Sequence, residues 1–407
     1  MKYDVSRIRR MFPSLQLEVN GFPAAYFDGP GGTQVPEAVI EAQRKYFTEQ
    51  NANRGGAFLT SERTNEVVRS SRVKVAALLG ADPNEIAFGA NMTTLNYTLA
   101  RTLGRQICPG DEVLVTDLDH EANRDPWLDL REQGAVVRSV AMNLPECTLD
   151  MDDFRAKINR RTRIIAVSGA SNCVGTIPDL AAIKELADEV DAIMVVDAVH
   201  LVPHRLIDVH ALGCDFLLCS PYKFFGPHAG VLYGRRQSFE RLQTYKVRPQ
   251  SAEVPNRIET GTANFEAIAG TAAAVDFIAG AQSPDAGPDL RGAITTSMAA
   301  ITEYEDRLNL VLMRGLEAIS GVRLYGPDAG AKRTPTVAFT MEGHSPREIA
   351  SHLADRGIFV WDGDFYATTV VERLGLAPTG GVVRVGQAPY STEEEVNRLL
   401  EAVEDLR

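Results

Sequence analysis

The chain has 407 residues, 44% of them hydrophobic, enough for a sizeable core and more than one compact unit usually holds. Acidic residues outnumber basic ones 54 to 42, a formal charge of -12 that opposes a phosphate backbone or an anionic lipid surface, so neither nucleic acid nor membrane is an expected partner. The five cysteines, Cys108, Cys147, Cys173, Cys214 and Cys219, are odd in number and lack CxxC spacing, which speaks against a disulfide framework or a structural zinc site and for a reducing cytoplasm.

In the opening stretch MKYDVSRIRRMFPSL, charges interrupt every apolar run, so no signal peptide is expected there. No later stretch is long and apolar enough to suggest a membrane span. From about Glu85 to Tyr233 the runs EVLVTD, TRIIAVSGA, AIMVVDAV, CDFLLCS and AGVLYG have strand length and alternate with helical patterns. One of these is IPDLAAIKELADEV, where Pro178 and Asp179 supply a helix start. The rhythm predicts a largely parallel, helix-covered sheet. After Gly270 it gives way to a long helical stretch through roughly Ile319, then TPTVAFTM, a helix in SPREIASHLADRG and a closing helix in STEEEVNRLLEAVEDL. A second, α+β unit is expected there. The predicted division is a large domain over 17–290 and a small one over 291–407, with residues 1–16 packing on the small one.

The run AIMVVDAV ends on Asp197, at the edge where an open parallel sheet binds ligands, and CDFLLCS leads directly into Pro221, Tyr222 and Lys223. A carboxylate at that edge can pair with a protonated pyridine nitrogen, and a nearby lysine can form an imine. Those are the two protein groups that pyridoxal 5'-phosphate (PLP) chemistry requires. The segment GANMTTLN follows a strand and opens a helix, so the backbone N–H groups of Asn91, Met92 and Thr93 can cradle a phosphate. In DLDHEANRDPW, His120 falls just beyond the strand EVLVTD, where an imidazole can stack on a planar ring and move protons. Taken singly, such residues are more often a cap or turn residue, an exposed lysine and a surface histidine; their company carries the reading.

The segments YFDGPGGTQVP, GANMTTLN, DHEAN, SNCVGTIPDL, VVDAVHLVPH, CDFLLCSPYKFFGPHAGVLYG, RIETGTANF and VVRVGQAPYSTEEEV follow one another in the order found in class V aminotransferases. From about Tyr26 to its C-terminus the chain resembles that family, and within it the cysteine desulfurases and their relatives. The resemblance implies PLP fold type I, with a mainly parallel seven-stranded sheet in the large domain. It implies that Lys223 holds the cofactor as a Schiff base, Asp197 pairs with the pyridine nitrogen and His120 stacks on the ring. Ser220 and Tyr222 are expected to join the Asn91–Thr93 turn at the phosphate, and His200 to approach the cofactor hydroxyl. Thr262 is expected to reach the phosphate of a neighbouring subunit, which implies a homodimer. Asn172 and Arg384 match positions that bind a substrate α-carboxylate, for which a guanidinium fork is suited. The expected substrate is a small amino acid, and no metal is expected.

Cysteine desulfurases use a loop cysteine, and the matching segment here, FVWDGDFYATTV, contains none. Aligning Gly363 and Ala367 with the residues that bracket that loop places Tyr366 at the nucleophile position, where a phenol cannot carry a persulfide. Cys173, beside Asn172, is a candidate substitute or a small buried filler. Trp361, Phe365 and Tyr366 make the loop aromatic, and Tyr366 becomes a candidate wall for the substrate. A lyase acting by β-elimination, or an aminotransferase, is therefore expected. The alternatives are a true cysteine desulfurase or an amino-acid epimerase. Retention of both Lys223 and Asp197 argues against a binding module that kept only the fold.

Overall fold

A computed structural model describes residues 3–282 and 289–407; Met1, Lys2 and 283–288 lie outside the described residues, including part of the expected long helix. Seven strands form the main sheet: β1 (Ile86–Gly89), β2 (Glu112–Thr116), β3 (Val136–Val140), β4 (Thr162–Ser168), β5 (Ile193–Asp197), β6 (Phe216–Cys219) and β7 (Gly230–Gly234). Their spatial order is β1-β7-β6-β5-β4-β2-β3, and β7 alone runs antiparallel to its neighbours.

The central strands are apolar throughout because both faces are covered. Met194 and Val196 of β5 point into one core cluster and Val195 into another, while Leu217 and Cys219 of β6 oppose Phe216 and Leu218 in the same way. The crossover helix Leu180–Glu189 starts where the sequence places it, with the Asp179 carboxylate accepting from Ala182 N at 3.1 Å.

A second sheet of four antiparallel strands, β8 (Val322–Tyr325), β9 (Thr336–Met341), β10 (Trp361–Gly363) and β11 (Val382–Gly386), has the order β8-β9-β11-β10. It shares a core with the helices Leu290–Ala318, Pro346–Ala354 and Glu393–Glu404. Reciprocal capping at Ser345 with Glu348, and at Thr392 with Glu395, fixes the starts of the last two.

Two sequence expectations are corrected. The helical stretch begins at Phe265 rather than after Gly270, because Asn264 caps it by accepting from Ala267 N at 2.9 Å. The N-terminal segment does not rest on the small unit alone: Ile8, Phe12 and Leu15 enter the core of the main sheet, while Tyr3 and Val5 pack against the smaller core. Among the described residues, no helix is long and apolar enough to cross a membrane.

Candidate functional site

The C-terminal ends of β1, β2, β4, β5 and β6 open onto a cavity of about 810 Å³. Asn91, Met92, Thr93, His120, Asn172, Asp197, His200, Ser220, Tyr222, Lys223, Tyr366 and Arg384 all line it, so twelve of the thirteen expected site residues meet in one place. Thr262 does not: it is exposed in the segment that precedes helix Phe265–Gly280.

At the floor, helix α1 (Met92–Gly104) begins directly after β1, and Asn91 caps it by accepting from Thr94 N at 2.8 Å. Met92 N donates to the Ser220 hydroxyl at 3.0 Å, which ties this turn to the end of β6. The two segments approach closely because residue 230 of β7 is glycine; a Cβ there would lie 2.6 Å from the Asn91 carbonyl carbon. Helix start, hydroxyl and turn together make an anion cradle.

Lys223 lies in the single helical turn that follows β6. Its ammonium donates to the Pro30 carbonyl and stands 4.8 Å from the centre of the Tyr222 ring, which stacks on His228. Burial, followed by the charge of Arg384, pulls the lysine down to about 7. Asp197 closes β5, and Val199 N donates to its carboxylate at 2.9 Å, its one side-chain hydrogen bond among the described residues. Burial raises this carboxyl to about 7, with nearby Asp119 adding to the rise and Lys223 opposing it. Asp119, which accepts from Thr116 N at 2.7 Å and Ser168 N at 2.6 Å, locks the ends of β2 and β4 together.

His120 Nδ1 accepts from Ala122 N at 3.0 Å, so the proton of the neutral ring sits on Nε2. Burial, then Lys223 and Arg384, lower this imidazole to about 4. His200 Nε2 sits 2.9 Å from the Thr336 hydroxyl and 3.0 Å from that of Thr334, so β9 and the segment before it hold this ring.

Arg384 comes from the middle of β11 and is 3% exposed. It donates from Nη1 to Asn172 O at 3.2 Å and from Nη2 to Asp28 Oδ1 at 3.4 Å, while Nε and Asn172 Oδ1 are buried without a partner. Arg384 lines the cavity, and a guanidinium with an unpaired N–H suits a carboxylate ligand. The loop after β10 lies over Arg384 and Asn172. Asn172 Nδ2 donates to Phe365 O at 2.9 Å, and Glu121 N donates to Tyr366 O at 2.7 Å. Phe365 and Tyr366 both have φ of 58°, the left-handed region, so two non-glycine residues are held there by these contacts. Tyr366 is 71% exposed and its ring stacks on His120.

Cys173 is fully buried, does not line the cavity, and is pushed by burial up to about 12, so it is a packing residue and not a substitute nucleophile. Sequence reasoning missed Asp28, Tyr97, Glu121, Asp125 and His228. Asp28, Glu121 and Asp125 lie inside stretches that the sequence had marked, but nothing in sequence shows that Asp28 meets Arg384 or that Glu121 and Asp125 line the cavity.

A family model described as Aminotransferase class-V matches residues 25–399. A cysteine desulfurase of Pectobacterium atrosepticum is 30% identical over 423 residues, covering 100% of this chain and 98% of the relative. An uncharacterised protein of Mycobacterium tuberculosis is 31% identical over 409 residues, with 100% of both chains covered. Among solved structures, a cysteine desulfurase of Thermococcus onnurineus superposes with a TM-score of 0.87 at 28% identity, covering 100% of this chain and 98% of that one. One from Escherichia coli gives 0.85 at 26% identity, with the same coverage.

Proposed function

Because the chain belongs to the class V aminotransferase family of pyridoxal-phosphate enzymes, we propose that it binds this cofactor at Lys223 and breaks a bond at the Cα of an amino acid, without relaying sulfur through a loop thiol. Its seven-stranded sheet and smaller antiparallel sheet are those of fold type I. One observation carries the reading: Lys223 and Asp197 line one cavity whose covering loop presents Tyr366, and the chain has no cysteine after Cys219.

The residues fit the cofactor. The Asn91–Thr93 turn and Ser220 offer N–H and hydroxyl groups to a phosphate, and Asp197 has lone pairs free for a ring N–H. When bound, the cofactor supplies an electron sink for the bond broken at Cα. Lys223, with an amine near 7, has a substantial neutral fraction at neutral pH; it can attack a carbonyl carbon and then carry a proton. Asp197 supplies negative charge at the sheet edge. His120, neutral at pH 7, presents Nε2–H as a donor to the cavity. Arg384 and Asn172 hold the substrate carboxylate, and Phe365 and Tyr366 shield that contact from water.

Elimination or transamination then follows, since no loop thiol is present to accept sulfur. Cysteine desulfuration is the second reading, favoured by the relatives named for that activity. As a homodimer, Thr262 would complete the phosphate site of the neighbouring subunit. Five unpaired cysteines suit the reducing cytoplasm.

The test is an absorbance titration of cofactor-loaded protein with single amino acids and no keto-acid acceptor. Stoichiometric conversion of the cofactor to its amine form indicates an aminotransferase; sustained release of keto acid and ammonia indicates a lyase. Alanine and sulfide from cysteine would establish the second reading. Absence of any Lys223-dependent absorbance band would sink both.

A further inference from the structure

The amine of Lys223 has two neighbours that hold it. The Pro30 carbonyl accepts from its ammonium, and the centre of the Tyr222 ring lies 4.8 Å from Nζ. The backbone of Tyr222 is fixed: its carbonyl accepts from Thr33 N at 3.0 Å and from the Thr33 hydroxyl at 3.2 Å, and Phe225 N donates to that hydroxyl at 2.7 Å. None of these bonds touches the ring, so the side-chain torsions of Tyr222 stay open. Tyr222 also stands between two cavities, the candidate site and a neighbouring one of about 500 Å³ that it lines as well. A ring with space on both sides is not fixed by close packing.

His228 supplies that restraint. It lines both cavities too, and its ring stacks on that of Tyr222 with centres 5.0 Å apart and planes inclined by 18°. Its backbone is anchored by the buried Ala229 and by β7, which begins at Gly230. Among the described residues the exposed His228 ring makes no hydrogen bond or ion pair, so the stack is what orients it. Burial raises the Tyr222 phenol, so its ring is neutral near pH 7 and offers a π-face to an ammonium.

We propose that His228 is a positioning residue for Lys223: by stacking on Tyr222 it holds that ring against the lysine amine and keeps the amine in the candidate site, beside the Pro30 carbonyl. The inference rests on the reading of Lys223 as the cofactor lysine, and His228 itself takes no part in breaking bonds.

A ring beside an ammonium favours the charged form, so freeing the ring lowers the pH at which Lys223 gains its proton. The other groups around the amine, Arg384, Asp28, Asp197, His120 and His200, are the same in every protein compared. The experiment follows cyanate labelling of Lys223 against pH in cofactor-free protein, by peptide mass spectrometry. It compares His228→Phe, which keeps a stacking ring, with His228→Ala, which removes it; both lack the imidazole, so the stack alone differs, and melting curves check the fold. The midpoint is expected about half a pH unit lower in His228→Ala, as for loss of a modest cation–π contact. Equal midpoints overturn the inference. Tyr222→Leu, which removes the ring itself, should reproduce the lower midpoint, and a further fall on adding His228→Ala would also overturn it. Mixing wild type with pyridoxal phosphate tests the wider reading separately: if no Lys223-dependent absorbance band forms, the cofactor reading falls, while the labelling midpoints still decide the role of His228.

Discussion

The guanidinium of Arg384 lies 4.2 Å from the centre of the Phe365 ring, so the loop after β10 caps the residue that is placed to receive a substrate carboxylate. The ring covers one face of the guanidinium, whose Nε is buried without a partner among the described residues. A planar fork can hold a carboxylate at two points where an ammonium cannot. Arg384→Lys is therefore expected to raise KM for the amino acid about 10- to 100-fold with kcat changed little, as for loss of a charge-assisted hydrogen bond. Steady-state kinetics against the amino acid checks this, and an unchanged KM would contradict the assignment.

Tyr366 combines a strained backbone with a useful ring. Its left-handed φ costs about 1–2 kcal/mol for a residue with a Cβ, and an aromatic stack is worth about 0.5–1.5 kcal/mol. Tyr366→Gly gives up the stack and relieves the strain, so net stability should change by less than about 1 kcal/mol. KM should rise severalfold, because the wall beside His120 is lost. Tyr366→Phe keeps the ring and should match wild type within about twofold. Melting curves and kinetics on the same samples separate the two effects; a large stability loss with unchanged KM would make Tyr366 a structural residue only.

Much of this arrangement was legible before the fold. The central strands of the main sheet are short, apolar and doubly buried, and Asp197, which ends β5, and Ser220, which follows β6, fall on the ligand edge by topology alone. Helix starts at Asp179, Ser345 and Thr392 are local side-chain events, readable from a few neighbouring residues. What escaped depends on distant partners. Nothing near Asp28 announces that it meets Arg384, 356 positions away. The left-handed Phe365 and Tyr366 are held by Asn172 and Glu121, from other elements, so no turn residue marks them. Thr262 is exposed and lies away from the cavity, so its position was not legible from the family order of the segments.

Burial decides the behaviour of Cys173. A thiol pushed up to about 12 is almost wholly protonated at pH 7, and a fully buried one is shielded from reagents. Cys173→Ala should leave kcat within about twofold, and in the folded protein iodoacetamide should label exposed Cys108 first. Loss of activity in that variant at unchanged melting temperature would restore Cys173 as a reacting group.

Lys223 should destabilise the cofactor-free protein in a pH-dependent way. Its ordinary value of 10.5 falls to about 7 in the fold, chiefly because burial disfavours the charged form. Above 10.5 the amine is neutral in both folded and unfolded chains, and the lysine carries no charge penalty. As pH falls toward 7 the unfolded chain takes up the proton first, so stability is lost progressively, and below 7 the folded protein carries the buried charge. Lys223→Met removes that burden. It should stabilise the cofactor-free protein by roughly 1–3 kcal/mol at pH 6 and by clearly less at pH 9. Asp197, raised from 3.8 to about 7, has the opposite slope, with stability lost as pH rises through that window. Lys223 also holds the Asp197 carboxyl down, so Lys223→Met lets that carboxyl rise further, which cuts the variant's gain most at high pH and adds to the same trend. Denaturant unfolding of both proteins at the two pH values gives the measurement. A stabilisation independent of pH would mean that Lys223 stays protonated in the cofactor-free fold throughout this range, as it is in the unfolded chain, and that better packing by methionine explains the gain.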